Sequence, residues 1–371
     1  MLMQPYNASL QRLESKGRLR RLARVQGADF SSNDYLALSG STQLRDVARE
    51  ALERGVPVGS GGSRLLRGNH IEHEALEEEA ARFFNARQVL YFSSGFDANQ
   101  AVFATLPQAG DLVLYDALIH ASIHAGMQAG KATTQSVPHN DVAAFEAAIR
   151  QFQAGEKSGH IWLVIESLYS MDGDFAPLAE LHALADRYGC FLYIDEAHAT
   201  GVFGTDGRGL TADLAGRENV LILHTCGKAL GASGALLCAA KPMIDVLINR
   251  AKGFIFSTAP SPLQASIVRG SLQILAAEPE RRARLQTLIR HAGQHLAPSG
   301  SQIIPYHIGD NQRAVHVAAV IQNHGFDIRA IRPPTVPIGT ARLRISITLN
   351  IDEAQISHMA EVLRQIAVPH E

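Results

Sequence analysis

The sequence predicts an α/β protein: a mostly parallel sheet with helices on both faces, followed by a smaller α+β domain toward the C-terminus. Three features point to it. Between residues 88 and about 240, short β-prone runs alternate with helical stretches, the pattern of strands joined by crossover helices. Most of those runs are apolar throughout, as strands buried on both faces are. After about residue 250 the alternation stops, and two helices precede a helix–strand–strand–helix stretch. The expected organisation is a helical N-terminal arm over 1–40, a large α/β domain over 41–250 and a small α+β domain over 251–371.

Each element has its own warrant. Residues 9–24 (SLQRLESKGRLRRLAR) read as a basic amphipathic surface helix, with Leu10, Leu13 and Leu22 as a stripe that Gly17 weakens. Residues 55–69 are too rich in glycine for a regular helix. In HIEHEALEEEAARFF, Ile71, Ala75, Leu76, Ala80 and Phe83 recur at helical spacing. The strand candidates are QVLYF, DLVLYD, IWLVIES, CFLYIDE, NVLILHT and ALLCAA, and the stretches 97–107, 140–152 and 177–188 read as helices between them. Helices are expected over 262–277 and 280–296, and strands at FDIRAIRPP and ARLRISIT. In such sheets a ligand sits at the carboxyl ends of the strands. Polar clusters stand there: Ser93-Ser94-Gly95, Asp116, Glu166, Asp195 to His198, and Thr225 to Lys228.

Composition narrows the function. Hydrophobic residues make up 46% of the 371, enough for a sizeable core, which excludes dominant disorder. Lys and Arg number 34 against 36 Asp and Glu, and this balance argues against nucleic acid or an anionic membrane as a main partner. Three cysteines in so long a chain make no disulfide framework and point to a reducing compartment, hence the cytoplasm. No apolar run approaches the ~18 residues of a membrane span.

Four motifs carry chemistry. In TCGKALG (225–231), Lys228 lies just past a strand end; it is either an exposed charge or, desolvated among apolar neighbours, an amine able to form a Schiff base with an aldehyde. In YIDEAHATG (193–201), Asp195 is either a cap or the carboxylate that keeps the ring of pyridoxal phosphate protonated and hence an electron sink. His198 is three residues on. FSSGFDAN (92–99) ends a strand and starts a helix, whose free N–H groups suit a phosphate, although many ordinary turns look alike. DALIHAS (116–122) brings His120, which is either a helix-terminal histidine or a ring stacked on a cofactor. A metal is the weaker reading. His70-x2-His73 and His120-x3-His124 have helical-face spacing but no evident third ligand.

Taken together, these motifs resemble those of the α-oxoamine synthases, pyridoxal-phosphate-dependent transferases of fold type I. The resemblance runs through nearly the whole chain: SSNDYLALS (31–39), GSGGSRLLRGNHIEHEALEEEAARF (59–83), SSGFDAN, IHASI, ESLYSMDGDFAPL (166–178), DEAHATGVFGTDGRG (195–209), TCGKALG and FSTAPSP (256–262). The segment AIRPPTVPIGTARLRIS (330–346) is similar to that of the members that condense L-alanine with a pimeloyl thioester. Members that use glycine or serine carry different residues there; a member of that kind, joining glycine to an acyl thioester, is the alternative reading.

The resemblance implies pyridoxal 5'-phosphate as cofactor and assigns roles position by position. Lys228 would hold the cofactor's aldehyde, Asp195 would pair with its ring nitrogen, and His120 would stack on the ring. His198 and Ser170 would lie beside the phenolic oxygen. Gly95 and Phe96 through their backbone, with Thr225, would hold the phosphate, and Thr258 would reach the phosphate of a neighbouring subunit's cofactor. Asn33 and Arg344 would face the amino-acid carboxylate, and Arg20 and Thr335 the acyl substrate. Lys228, His120, Asp195 and His198 are the catalytic candidates. A homodimer is implied, with the acyl group carried on coenzyme A or on a carrier protein. Two departures stand out. Only Asp29 separates VQGA from FSSNDY, where the family usually has a longer hairpin, and Ala37 stands where glycine is common.

Overall fold

The computed structural model describes residues 2–22, 24–155 and 159–367. The chain forms two compact units: Leu36–Tyr169 with Phe175–Arg282, and Met1–Tyr35 with Ser170–Asp174 and Ala283–Glu371.

The larger unit is built on a seven-stranded sheet: β1 (Gln88–Phe92), β2 (Leu112–Asp116), β3 (Thr133–Val137), β4 (Ile161–Glu166), β5 (Phe191–Asp195), β6 (Val220–Thr225) and β7 (Ala235–Ala239). Their order is β1-β7-β6-β5-β4-β2-β3. Only β7 runs against its neighbours. Six of the seven were legible as apolar runs, and β4, β6 and β7 are buried at every position. The seventh, β3, was not. It is an edge strand with Thr133 to Ser136 exposed, so it lacks the apolar signature.

The helices Gly95–Thr105 and Ala121–Ala129 pack closely together. A Cβ on Gly126 would lie 2.8 Å from Phe103 Cβ and 2.9 Å from the Asn99 carbonyl oxygen, so this approach needs a residue without a side chain. Leu90, Val102, Phe103, Val113, Trp162 and Tyr193 belong to the apolar cluster beneath.

Residues 251–282, expected in the smaller domain, lie in the larger unit. The helix Pro262–Ala277 packs on Thr42–Glu53 and Ile71–Phe84. Gly270 permits this, because Val47 Cγ1 sits 2.6 Å from where a Cβ would be.

In the smaller unit, β8 (Ile303–Gly309), β9 (Ala330–Ile331) and β10 (Ala341–Ser346) form an antiparallel sheet in the order β9-β10-β8. The central strand β10 is buried throughout, its two arginines included. Sequence patterning missed β8, an edge strand that contains Pro305 and buries only its first two residues. Ala28 and Asp29 pair in parallel with Phe326 and Asp327.

The helix expected over 9–24 is instead Gln4–Ser15. Gly17 ends it with φ of +61°. The Arg18 N–H reaches the Leu13 carbonyl at 2.7 Å and the Gly17 N–H that of Glu14 at 2.9 Å, a Schellman termination. The arginines of 18–21 therefore follow the helix rather than lying on its face.

Candidate active site

In the larger unit, the candidates gather at the carboxyl ends of β2, β5 and β6. Strand β6 ends at Thr225, and the turn Cys226-Gly227-Lys228 follows. The Ala232 N–H closes that turn on the Cys226 carbonyl, and the Gly231 N–H bonds the Lys228 carbonyl. Lys228 is half-buried, with Nζ 3.5 Å from Thr225 Oγ1. The helix Gly95–Thr105 starts against the same threonine: a Cβ on Gly95 would lie 2.7 Å from Thr225 Cγ2. Ser94 caps that helix by accepting the Asp97 N–H, and its first N–H groups, at Gly95 and Phe96, have no partner within the helix.

Asp195 closes β5 and is buried. Its Oδ1 accepts the Ala197 N–H at 2.9 Å, and its Oδ2 accepts the Asn99 side-chain amide at 3.0 Å. That amide also donates to Ser122 Oγ at 2.9 Å, and its oxygen accepts from the Tyr193 hydroxyl. Ser122 Oγ is 2.7 Å from Nδ1 of His120, the N-cap of the helix Ala121–Ala129. Burial lowers the His120 pKa; Asp195 opposes the shift, while Lys228 and His124 add to it.

His198 is buried in the turn after β5. The Ala199 and Thr200 N–H groups close that turn on the Glu196 carbonyl. The Glu196 carboxyl accepts the Leu210 N–H at 2.9 Å, and burial pushes its pKa up to about 7. Thr258 is exposed. Two residues on, the Pro260 carbonyl is held by Ser60 Oγ at 2.6 Å and by His73 Nε2 at 2.7 Å.

Asp116, at the end of β2, serves the local structure. It accepts the N–H groups of Leu118 and Asn140 and pairs with His139. His70 and His73, the helical histidine pair, form a capping box for Ile71–Phe84.

In the smaller unit a second set meets around Arg344, which is 6% exposed. Its Nε donates to the Ser170 carbonyl at 2.6 Å, one terminal nitrogen to Ser346 Oγ at 2.8 Å and the other to the Tyr35 hydroxyl at 3.2 Å. That hydroxyl donates in turn to Asn33 Oδ1 at 3.0 Å. Asn33, Ser170 and Arg344 are thus brought together, with Tyr35 as a link that motif reading did not single out. Arg20 donates to Thr335 Oγ1 at 3.0 Å, so the two expected acyl contacts also meet. Beside them, Leu19, Arg20, Arg21, Val315, Arg329 and Arg332 line a cavity of about 390 Å³.

In the larger unit, motif reading also missed the roles of Asn99, Ser122 and Tyr193. All three stand inside quoted motifs, but only tertiary packing joins them. The donor set suits pyridoxal phosphate. An amine, a buried carboxylate and a helix N-terminus are the groups that an aldehyde, a ring nitrogen and a phosphate require.

The model of the class I and II aminotransferases matches residues 26–363. The chain belongs to this aminotransferase family. Within it, the chain is 40% identical over 348 residues to an 8-amino-7-oxononanoate synthase of Herminiimonas arsenicoxydans, covering 90% of this chain and 88% of that one. Among solved aminotransferase-fold structures, serine palmitoyltransferase from S. paucimobilis with a bound PLP–myriocin aldimine superposes with a TM-score of 0.88 at 25% identity, over 98% of this chain and 97% of that one. An 8-amino-7-oxononanoate synthase from Francisella tularensis gives 0.76 at 26% identity, over 91% and 97%. The fold class expected from the sequence is that of these aminotransferase relatives.

Proposed function

We propose that the chain is an 8-amino-7-oxononanoate synthase: a pyridoxal-phosphate-dependent acyltransferase of biotin biosynthesis, acting in the cytoplasm as a homodimer. It joins L-alanine to a pimeloyl thioester and releases CO2 and the free thiol. The observation that carries the reading is 40% identity to a synthase of that name over nine-tenths of the chain. The lysine, carboxylate and arginine that such chemistry needs support it.

Pyridoxal phosphate, when bound, supplies an electron sink for negative charge at the α-carbon of the amino acid. The residues of the chain do the rest. Lys228 would hold the cofactor's aldehyde through Nζ, and the same amine, when free, would take the α-proton of alanine. Asp195 would keep the ring nitrogen protonated, and His120 would cover the ring face. Ser170 and His198 are each assigned to the phenolic oxygen and would bind it. The N–H groups of Gly95 and Phe96 and the Thr225 hydroxyl would hold the phosphate, and Thr258 would reach that of a partner subunit. Arg344, with Asn33, orients the alanine carboxylate by a charge-assisted contact. Arg20 and Thr335 contact the acyl chain.

Borohydride reduction of the cofactor-loaded protein should fix the label on Lys228, read by peptide mass spectrometry. Thiol should be released only with alanine and a pimeloyl thioester. Label on another lysine, or equal thiol release with glycine or serine, would overturn the assignment.

A further inference from the structure

A buried polar network joins two of the residues assigned to the cofactor. Asn99 is 2% exposed, and Ser122 and Tyr193 are fully buried. The chemistry of the groups gives the network a direction. An ionised Asp195 can only accept, so Asn99 turns its nitrogen to Oδ2, and its oxygen then accepts from the Tyr193 hydroxyl. The second N–H of the same amide goes to Ser122 Oγ. With its oxygen engaged as acceptor, Ser122 has its own proton to give, and the neighbour in line is His120 Nδ1 at 2.7 Å. That nitrogen also accepts the Ser122 backbone N–H at 3.3 Å. The His120 proton must then sit on Nε2.

We propose that Asn99 is a positioning residue, which holds the Asp195 carboxylate in one orientation and, through Ser122, commits His120 to the neutral Nε2–H tautomer. The proposal rests on the function above for the facing of Asp195 and His120 toward the cofactor. It explains a requirement of that chemistry. A neutral imidazole can lie on a protonated aromatic ring without like-charge repulsion, whereas an imidazolium cannot. The charged and titratable groups that act on His120 are Asp195 from β5, Lys228 from the turn after β6 and His124 on its own helix.

The test uses the full chain with 15N-labelled histidine, before and after saturation with pyridoxal phosphate. The ring nitrogens of His120 are followed with pH by NMR. In the wild type, His120 should be the Nε2–H tautomer at neutral pH. Ser122→Ala removes the hydroxyl donor that stabilises the neutral ring, so His120 should titrate at higher pH. The cofactor dissociation constant should stay within about twofold, because the Asn99–Asp195 contact is kept. Asn99→Asp, close in shape, sets a second carboxyl against Asp195. His120 should again titrate higher, and cofactor affinity should fall by about tenfold or more. Unchanged His120 titration in both variants would overturn the proposal, and so would a wild-type ring protonated on Nδ1. The His120 signal is read on the cofactor-free chain as well. Failure of the wild type to bind pyridoxal phosphate would therefore sink the proposed function while leaving the network to stand or fall separately.

Discussion

At Ala37 the backbone carries a φ of +52°, a left-handed conformation that costs a residue with a Cβ more than it costs glycine. Ala37→Gly should therefore raise the unfolding free energy by about 0.5–1 kcal/mol, measured by urea denaturation. His73 gives a second prediction. Its Nδ1 accepts the His70 N–H and its Nε2 donates to the Pro260 carbonyl, so the ring is neutral, and burial lowers its pKa to about 4. The unfolded chain binds this proton at an ordinary histidine pKa of ~6.5, the folded chain only near 4. Between those values the unfolded state holds more protons, so stability rises with pH there and is lost as pH falls through the window. In His73→Gln, which keeps a donor but does not titrate, the urea midpoint should fall less steeply between pH 6.5 and 4. Equal slopes would mean that other groups set the acid limit. Burial lowers the His224 pKa further, to about 3, so part of the slope should survive the substitution.

Among the elements, the pair Gly95–Thr105 and Ala121–Ala129 bears most directly on the site, since Asn99 stands on one and His120 caps the other. Their spacing depends on Gly126. Gly126→Ala would push a methyl into Phe103 and the Asn99 backbone, and overpacking of this kind costs about 1–3 kcal/mol. Thermal unfolding should show that loss, and cofactor affinity should fall with it as Asn99 is displaced. A variant as stable as wild type would show that the helices separate freely. The elements also explain what the sequence made legible. Strands such as IWLVIE and VLILHT are buried at every position, so burial wrote itself into their composition. The edge strands β3 and β8 face solvent along much of their length, and a polar run or a proline leaves no periodic trace. The same distinction holds in the site. Lys228 and Asp195 stand in short local motifs, whereas Arg20 and Thr335 lie 315 residues apart in sequence and meet only in the folded chain. Motif resemblance assigned them a shared ligand, but no local pattern does so.

For the whole molecule, the proposed homodimer sets the next prediction. Sedimentation should give twice the mass of the chain for the active protein, and Thr258→Ala should weaken cofactor binding without dissociating it. An active monomer would remove the role given to Thr258. The make-up of the two units has a consequence for how the protein is born. The larger unit has all seven strands of its sheet once residue 239 is synthesised, with β7 entering between β1 and β6 as the last of them. The smaller unit draws on both ends of the chain. Phe30 and Tyr35 offer their carbonyls to the N–H groups of Ser346 and Leu349, and Asn33 and Tyr35 join the network around Arg344. At ~5–20 residues per second, translation leaves about 5–20 s between the seventh strand and β10. Through that interval the first 35 residues wait on the ribosome without their partners. A chain released early would carry Lys228 and Asp195 on a complete sheet and lack Arg344. Messages that end prematurely would thus yield chains that hold the residues assigned to the cofactor and lack the arginine assigned to the amino acid.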